Sequence, residues 1–232
     1  VDLLRTATVP ALSAIPGLVH GFEQRRPGAG AETRDAARER LAAALRPHGR
    51  LFLLKQVHGS VVRRAPWTGR PEADAAVADR PGLLLGIETA DCLPVLIVDP
   101  ERRAVAAAHA GWRGTAAGVT RAAVDALRDG GSLPAGLVAA LGPAIGPCCY
   151  EVGDELRVHF APEFFRPGPR GKPHLDVRAA NRAQLEAAGL RRENIHGVDE
   201  CTSCDSERYH SYRREGKGAG RMIHFVGFSS AR

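Results

Sequence analysis

Lysine is nearly missing from this chain. It occurs only at Lys55, Lys172 and Lys217, so arginine carries almost all of the positive charge. Large aromatics are scarce too, with three tyrosines and two tryptophans. The net charge of +6 would suit phosphate or nucleic acid. The arginines, however, are scattered among many acids, and there are few rings for bases to stack on. That argues against a nucleic-acid-binding protein. No uninterrupted apolar run approaches the ~18 residues of a membrane span, so no membrane partner is expected. The first residues lack the ordered basic, apolar and small-residue segments of a signal peptide. The five cysteines are an odd number at irregular spacing, which suggests a reducing compartment. Together these absences predict a cytoplasmic protein. An apolar content of 44% is enough to build a core without a disulfide framework.

No linker-like stretch divides residues 1–232, so one domain is expected. The segment to Arg26 reads as strand and turn, and Gly28 to Gly30 as a flexible tip. Thr33 to Leu45 has helical periodicity, with Ala37, Leu41, Ala44 and Leu45 on one face. Leu51 to Leu54, Val61 to Ala65, Ala73 to Ala78 and Leu83 to Ile87 read as strands. Val119, Ala123, Ala126 and Leu127 recur at helical spacing until Gly130, with Thr115 as the expected N-cap. Leu137 to Leu141 reads as a strand, Glu151 to Phe160 and Val177 to Ala188 as helices, and Ile195 to Val198 and Met222 to Phe228 as strands. Strands are frequent and helices intervene irregularly. The expected class is therefore α/β, a single domain with mixed β-sheets flanked by helices.

The centre of the chain is Glu88 to Thr115, ETADCLPVLIVDPERRAVAAAHAGWRGT. Cys92 precedes one apolar run, Leu93 to Val98, and His109 ends a second. A short charged turn, Asp99 to Arg103, lies between them. A hairpin would set Cys92 and His109 at one end of neighbouring strands. His58, in a turn between two strands, becomes interesting if it faces that pair.

Two imidazoles and a thiolate suit a three-ligand zinc site with an open position, where bound water becomes a usable hydroxide. The spacing matches no short zinc signature. A Cys92 nucleophile with a histidine base, or a buried cysteine beside two unrelated histidines, fits the residues as well. The turn Gly111-Trp112-Arg113-Gly114 could hold an anion at a helix start, or simply be a tight turn. Cys201-x-x-Cys204 could be half a zinc site or a redox pair, and reads best as a structural element at the site rim. Cys148 and Cys149 read as packing thiols. Tyr212-Arg213-Arg214 could bind an anion, but reads first as a solvated strand end.

In order along the chain stand QVHG, TADCLPV, AAHAGWRGT, LGPAIGPCCYEVG and CTSCD, then SYRREG and GR. On these motifs, from about Leu51 to Phe228, the chain resembles the laccase-domain family, also described as multicopper polyphenol oxidoreductases or peptidoglycan editing factors. The resemblance implies a mixed α/β domain with metal held at His58, Cys92 and His109; the donor chemistry of these residues favours zinc, and the laccase label gives copper as the alternative. It implies a purine nucleoside phosphorylase acting on adenosine, inosine, guanosine and methylthioadenosine, with adenosine deaminase activity. The substrates would be purine nucleosides and phosphate, the phosphate near Arg113 with help from Arg25 or Arg213. Glu88 is the nearby carboxylate for deamination, or else an arginine's partner. The family names also suggest a cysteine hydrolase on cell-wall precursors and a laccase-like polyphenol oxidase. A true laccase needs several coppers and many histidines, against two clustered here. Gln24 to Thr33 is abbreviated relative to the family. The oligomeric state is not legible.

Overall fold

The run Leu93–Asp99 is buried at every position, and alternation along it explains the layering. Val95 and Ile97 pack into one core, whereas Leu96 and Val98 pack into another. A strand covered on both faces needs a continuous apolar run, and each such side chain contributes ~1.5–3 kcal/mol when fully buried. The structure, a computed structural model, describes residues 4–26, 32–169 and 171–230. The Gly28 to Gly30 tip lies outside the described residues.

The elements in chain order are β1 (Thr6–Ala7), α1 (Pro10–Ser13), β2 (Leu18–Glu23), α2 (Arg34–Leu45), β3 (Arg50–Leu53), β4 (Val62–Arg64) and β5 (Ala75–Ala78). Then come β6 (Leu83–Thr89), β7 (Leu93–Asp99), β8 (Ala104–Ala110), α3 (Trp112–Ala116), α4 (Val119–Asp129) and β9 (Val138–Leu141). The remainder is β10 (Phe165–Pro167), β11 (Pro173–Leu175), α5 (Val177–Ala187), β12 (Ile195–Gly197), α6 (Tyr212–Glu215) and β13 (Met222–Phe228). One sheet has the order β1-β2-β13-β6-β3, a second β12-β9-β7-β8-β5-β4, and β10 pairs with β11. Both large sheets mix parallel and antiparallel pairs.

Phe22, Phe52, Leu85 and Ile87 of the first sheet meet Leu96, Val98, Val105 and Ala107 of the second. Outside the second sheet lie α4 and α5, through Val119, Ala123, Leu127, Ala180 and Leu185. Outside the first lies α2, through Ala37, Leu41 and Leu45 against Leu84, Ile223 and Phe225. The result is four layers, helix, sheet, sheet, helix, in keeping with the expected mixed α/β class. Thr33 caps α2 by accepting the Ala36 N–H at 3.2 Å.

Three local expectations are corrected. Thr115 is not an N-cap; it lies inside α3, buried, and its hydroxyl accepts from Asn181 Nδ2 at 2.9 Å. Gly118, at φ 77, separates α3 from α4. Glu151 to Phe160 holds only a 3₁₀ turn at Asp154–Val158, because β-bridging and turn contacts claim Glu151 and its neighbours. Tyr212 to Arg214 is helical, capped by the Ser211 side chain, not a strand end.

Candidate active site and metal centre

The hairpin of β7 and β8 pairs Leu93 with Ala110 and Pro94 with His109. Side chains alternate along a strand. His109 therefore shares the face of Val105 and Ala107, toward the space between the sheets, where it stands at the open end. Cys92, two residues before Pro94, meets it there. His58 comes from the loop between β3 and β4. Its ring centroid lies 4.8 Å from that of His109, at 72°. The ligand atoms of His58, Cys92 and His109 all fall within 4.8 Å of one another. The structure thus brings the three expected residues to one place.

Asp74, fully buried just before β5, organises this place. Its carboxylate accepts from three successive backbone N–H groups: Val57 at 3.1 Å, His58 at 2.9 Å and Gly59 at 2.7 Å. It also accepts from His109 Nδ1 at 2.8 Å. That leaves Nε2 of His109 for the centre. His58 has φ 63, a strained conformation for a non-glycine residue, and the Asp74 contacts hold it there. Burial alone would raise the Asp74 carboxyl, but His109 and the Gly59 and His58 N–H groups outweigh it and hold the pKa below the usual carboxylate value. Burial would likewise raise the Cys92 thiol, but His109 and then His58 outweigh it and bring it down to about 6. Burial opposes charge on His109, yet the Cys92 thiolate and Asp74 raise it to about 9. Each group is thus shifted in the direction that favours its charged form beside the other, Cys92 downward and His109 upward.

Asp74 carries a signal the sequence reading passed over. A carboxylate inside the apolar segment Ala73 to Ala78 must have partners, because an unpaired buried charge is costly. Gly111 is equally constrained: a Cβ there would stand 2.8 Å from Cys92 Sγ.

These residues open into a cavity of about 590 Å³, within the ~300–1,000 Å³ usual for small-molecule sites. Arg34, Arg38, Lys55, Arg70, Arg113, Arg213 and Arg221 line it, together with Glu88, Asp91, Trp112 and Tyr150. Arg113 stacks on Trp112, its guanidinium 4.4 Å from the ring centroid. Arg213 lies over Tyr150 at 5.3 Å and donates to the Glu151 carbonyl at 3.0 Å. Arg25, expected beside them, does not line this cavity. It reaches Glu215 at 3.3 Å in an adjoining recess that shares Arg34, Glu88 and Arg221. Arg34, Arg38, Arg70 and Arg221 were missed, since an isolated arginine in sequence says nothing of its direction.

Glu88 is clamped. Arg38 Nε and Nη2 donate to its two oxygens at 2.7 and 3.0 Å, and Arg70 Nη2 adds a third contact at 2.6 Å. Asp91, at φ 89, accepts from Thr202 Oγ1 at 2.6 Å and from the Arg213 N–H at 2.6 Å. Cys148 is exposed and Cys149 half-buried, so neither is the buried packing thiol expected from sequence.

The family model described as "Multi-copper polyphenol oxidoreductase laccase" matches residues 28–229. The purine nucleoside phosphorylase YlmD of Geobacillus stearothermophilus is 36% identical over 256 aligned positions, covering 97% of this chain and 93% of that protein. A protein named adenosine deaminase RL5, from an unknown prokaryotic organism, is 40% identical over 157 positions, covering 65% of this chain and 60% of that protein. Among solved structures, YlmD of Geobacillus stearothermophilus superposes with a TM-score of 0.84 at 31% identity, covering 99% of this chain and all of that one. NMB0706 of Neisseria meningitidis gives 0.85 at 31% identity, with 99% and 100% covered.

Proposed function

Because this chain belongs to the multi-copper polyphenol oxidoreductase laccase family, whose relatives here are named purine nucleoside phosphorylases and an adenosine deaminase, we propose that it is a metal-dependent purine nucleoside phosphorylase. The carrying observation is the cationic cavity built around the His58–Cys92–His109 cluster. Two imidazoles and one thiolate, with His109 Nδ1 already committed to Asp74, form a donor set that zinc accepts, and copper as the alternative. An ion held there would supply a positive charge and a Lewis acid within the cavity.

The chain's own residues account for the rest. Arg113 and Arg213 offer planar donors to a phosphate dianion, with Arg34 and Arg221 on the same cavity. Burial lowers the pKa of Arg221, although a guanidinium still keeps its proton. Tyr150 is raised to about 12, chiefly by burial, so it stays a neutral phenol that can donate. In phosphorolysis an oxygen of hydrogen phosphate bonds to the ribose C1′ as the C1′–N9 bond breaks; the purine departs with the bonding pair and takes up the proton that the phosphate gives up. Positive charge grows on the sugar, and the bound phosphate faces it. Trp112 and Tyr150 give the cavity apolar wall against which a purine can pack.

Deamination makes an added demand, a carboxyl that exchanges protons without binding metal. Among the described residues, Glu88 and Asp91 are the carboxylates lining the cavity, and both are tied by other partners. Phosphorolysis needs no such group, so it is the main reading.

The test is base release from adenosine and inosine by metal-loaded protein, with and without phosphate. Ribose 1-phosphate and free base should form only when phosphate is present, and Cys92→Ala should abolish it. No turnover by the loaded protein would overturn the reading. A covalent adduct on Cys92 in metal-free protein turning over an amide substrate would favour the cysteine hydrolase instead.

A further inference from the structure

Four of the five cysteines sit together at the far edge of the second sheet. Strands β9 and β12 are parallel neighbours, so the loops after them leave the same end. The first loop carries Cys148 and Cys149, and the second Cys201 and Cys204. Backbone bonds join the loops: Ala144 N–H to the Glu200 carbonyl at 3.3 Å, and Thr202 N–H to the Ala144 carbonyl at 3.1 Å. The four Sγ atoms all lie within 4.8 Å of one another. Cys204 Sγ is 3.6 Å from Cys148 Sγ and 3.4 Å from Cys149 Sγ.

Hydrophobic packing does not explain this grouping, because Cys148 and Cys204 are exposed. Four sulfurs around one zinc at ~2.3 Å stand about 3.8 Å apart at tetrahedral angles, close to the spacing observed. A multi-iron cluster would need its cysteines spread around several irons. The Gly146 N–H donates to Cys201 Sγ at 3.2 Å, as backbone donors do to metal-bound thiolates. A Cβ at Gly146 would meet Cys148 Sγ at 3.2 Å and Cys201 Cβ at 3.4 Å, so the loop can close on the sulfurs with little room to spare.

We propose that Cys148, Cys149, Cys201 and Cys204 form a second metal site, a tetrathiolate that binds one zinc ion and fastens these two loops together. Each thiol gives up its proton to solvent as it ligates. With four protein ligands the site is closed, and its role is structural. It stands against the walls of the first cavity. Tyr150 follows Cys149 directly. Thr202 follows Cys201, and its hydroxyl holds Asp91, the neighbour of Cys92. Arg213 donates to the Cys149 carbonyl at 3.4 Å, and Arg214 to the Thr202 and Ser203 carbonyls at 2.7 and 2.9 Å. The inference does not depend on the nucleoside reading.

The experiment uses the full chain carrying Cys92→Ala, which removes the thiolate of the first site, purified under reducing conditions. After zinc loading and desalting, one zinc per chain should remain. Cobalt(II) in its place should give strong thiolate charge-transfer absorption and intense tetrahedral d–d bands. Adding Cys204→Ser should abolish retention of the metal. Should that double variant fail to fold, zinc-edge X-ray absorption on the Cys92→Ala protein should report four sulfur neighbours. No retained metal, nitrogen or oxygen in place of the sulfurs, or disulfides among the four cysteines under reducing conditions would overturn the proposal.

Discussion

Asp74 and His109 are joined twice. The carboxylate accepts from His109 Nδ1 at 2.8 Å, and the Asp74 carbonyl accepts the His109 backbone N–H at 2.7 Å. The same side chain gathers the N–H groups that fix His58. One buried acid therefore sets both imidazoles. Asp74→Asn keeps the shape but gives up an acceptor oxygen and the negative charge. Metal affinity at the His58–Cys92–His109 site should fall ~10–100-fold. Competition against a chromophoric chelator checks this, and an unchanged affinity would count against the assignment.

Cys92 should react as a thiolate well below the pH of an ordinary cysteine. Its pKa is lowered to about 6, so in metal-free protein the thiolate persists above that pH and is protonated as the pH falls through it. The rate of alkylation by iodoacetamide, followed by peptide mass spectrometry, should be half-maximal near pH about 6. His109→Gln removes the principal neighbouring charge, and the midpoint should move up toward the ordinary thiol value. A midpoint near the ordinary value in the unsubstituted protein would contradict the pairing.

Arg113→Met and Arg213→Met keep much of the aliphatic stem but lose the charge. Hydrogen bonds to charged groups contribute roughly 1.5–3 kcal/mol, so KM for phosphate should rise about tenfold or more. KM for the nucleoside should hardly move. Steady-state kinetics with each substrate varied in turn separates the two. Equal rises in both constants would place these arginines elsewhere in the reaction.

Glu88→Gln should act on stability more than on chemistry. The change removes the charge that Arg38 and Arg70 share, in a partly buried setting, and the melting temperature should drop. Base release should persist. If deamination vanishes while phosphorolysis stays intact, Glu88 is an acid/base group after all.

Gly111→Ala should discriminate between packing and ligation at Cys92. The added methyl would stand 2.8 Å from Cys92 Sγ, so the sulfur or the turn must shift. Bound metal at that site should be largely lost, read by elemental analysis, while circular dichroism reports an intact fold. Full metal retention would mean that Cys92 moves freely without cost to the centre.

What the chain determines locally is the hairpin. A buried run, a charged turn and a second run close on themselves, and alternation then sets Cys92 and His109 on one face at one end. Near-neighbour geometry suffices for that, and it also places α2, α4 and α5 through their periodic apolar faces. Tertiary structure alone decided three other things. It brought His58 to the pair through a buried aspartate, aimed arginines from four separate segments into one cavity, and set Cys148 and Cys149 against Cys201 and Cys204. The reason is physical. Burial leaves a period in the sequence because each element repeats its contact with the core. A charge or a thiol meets its distant partner once, and a single contact leaves no period to read.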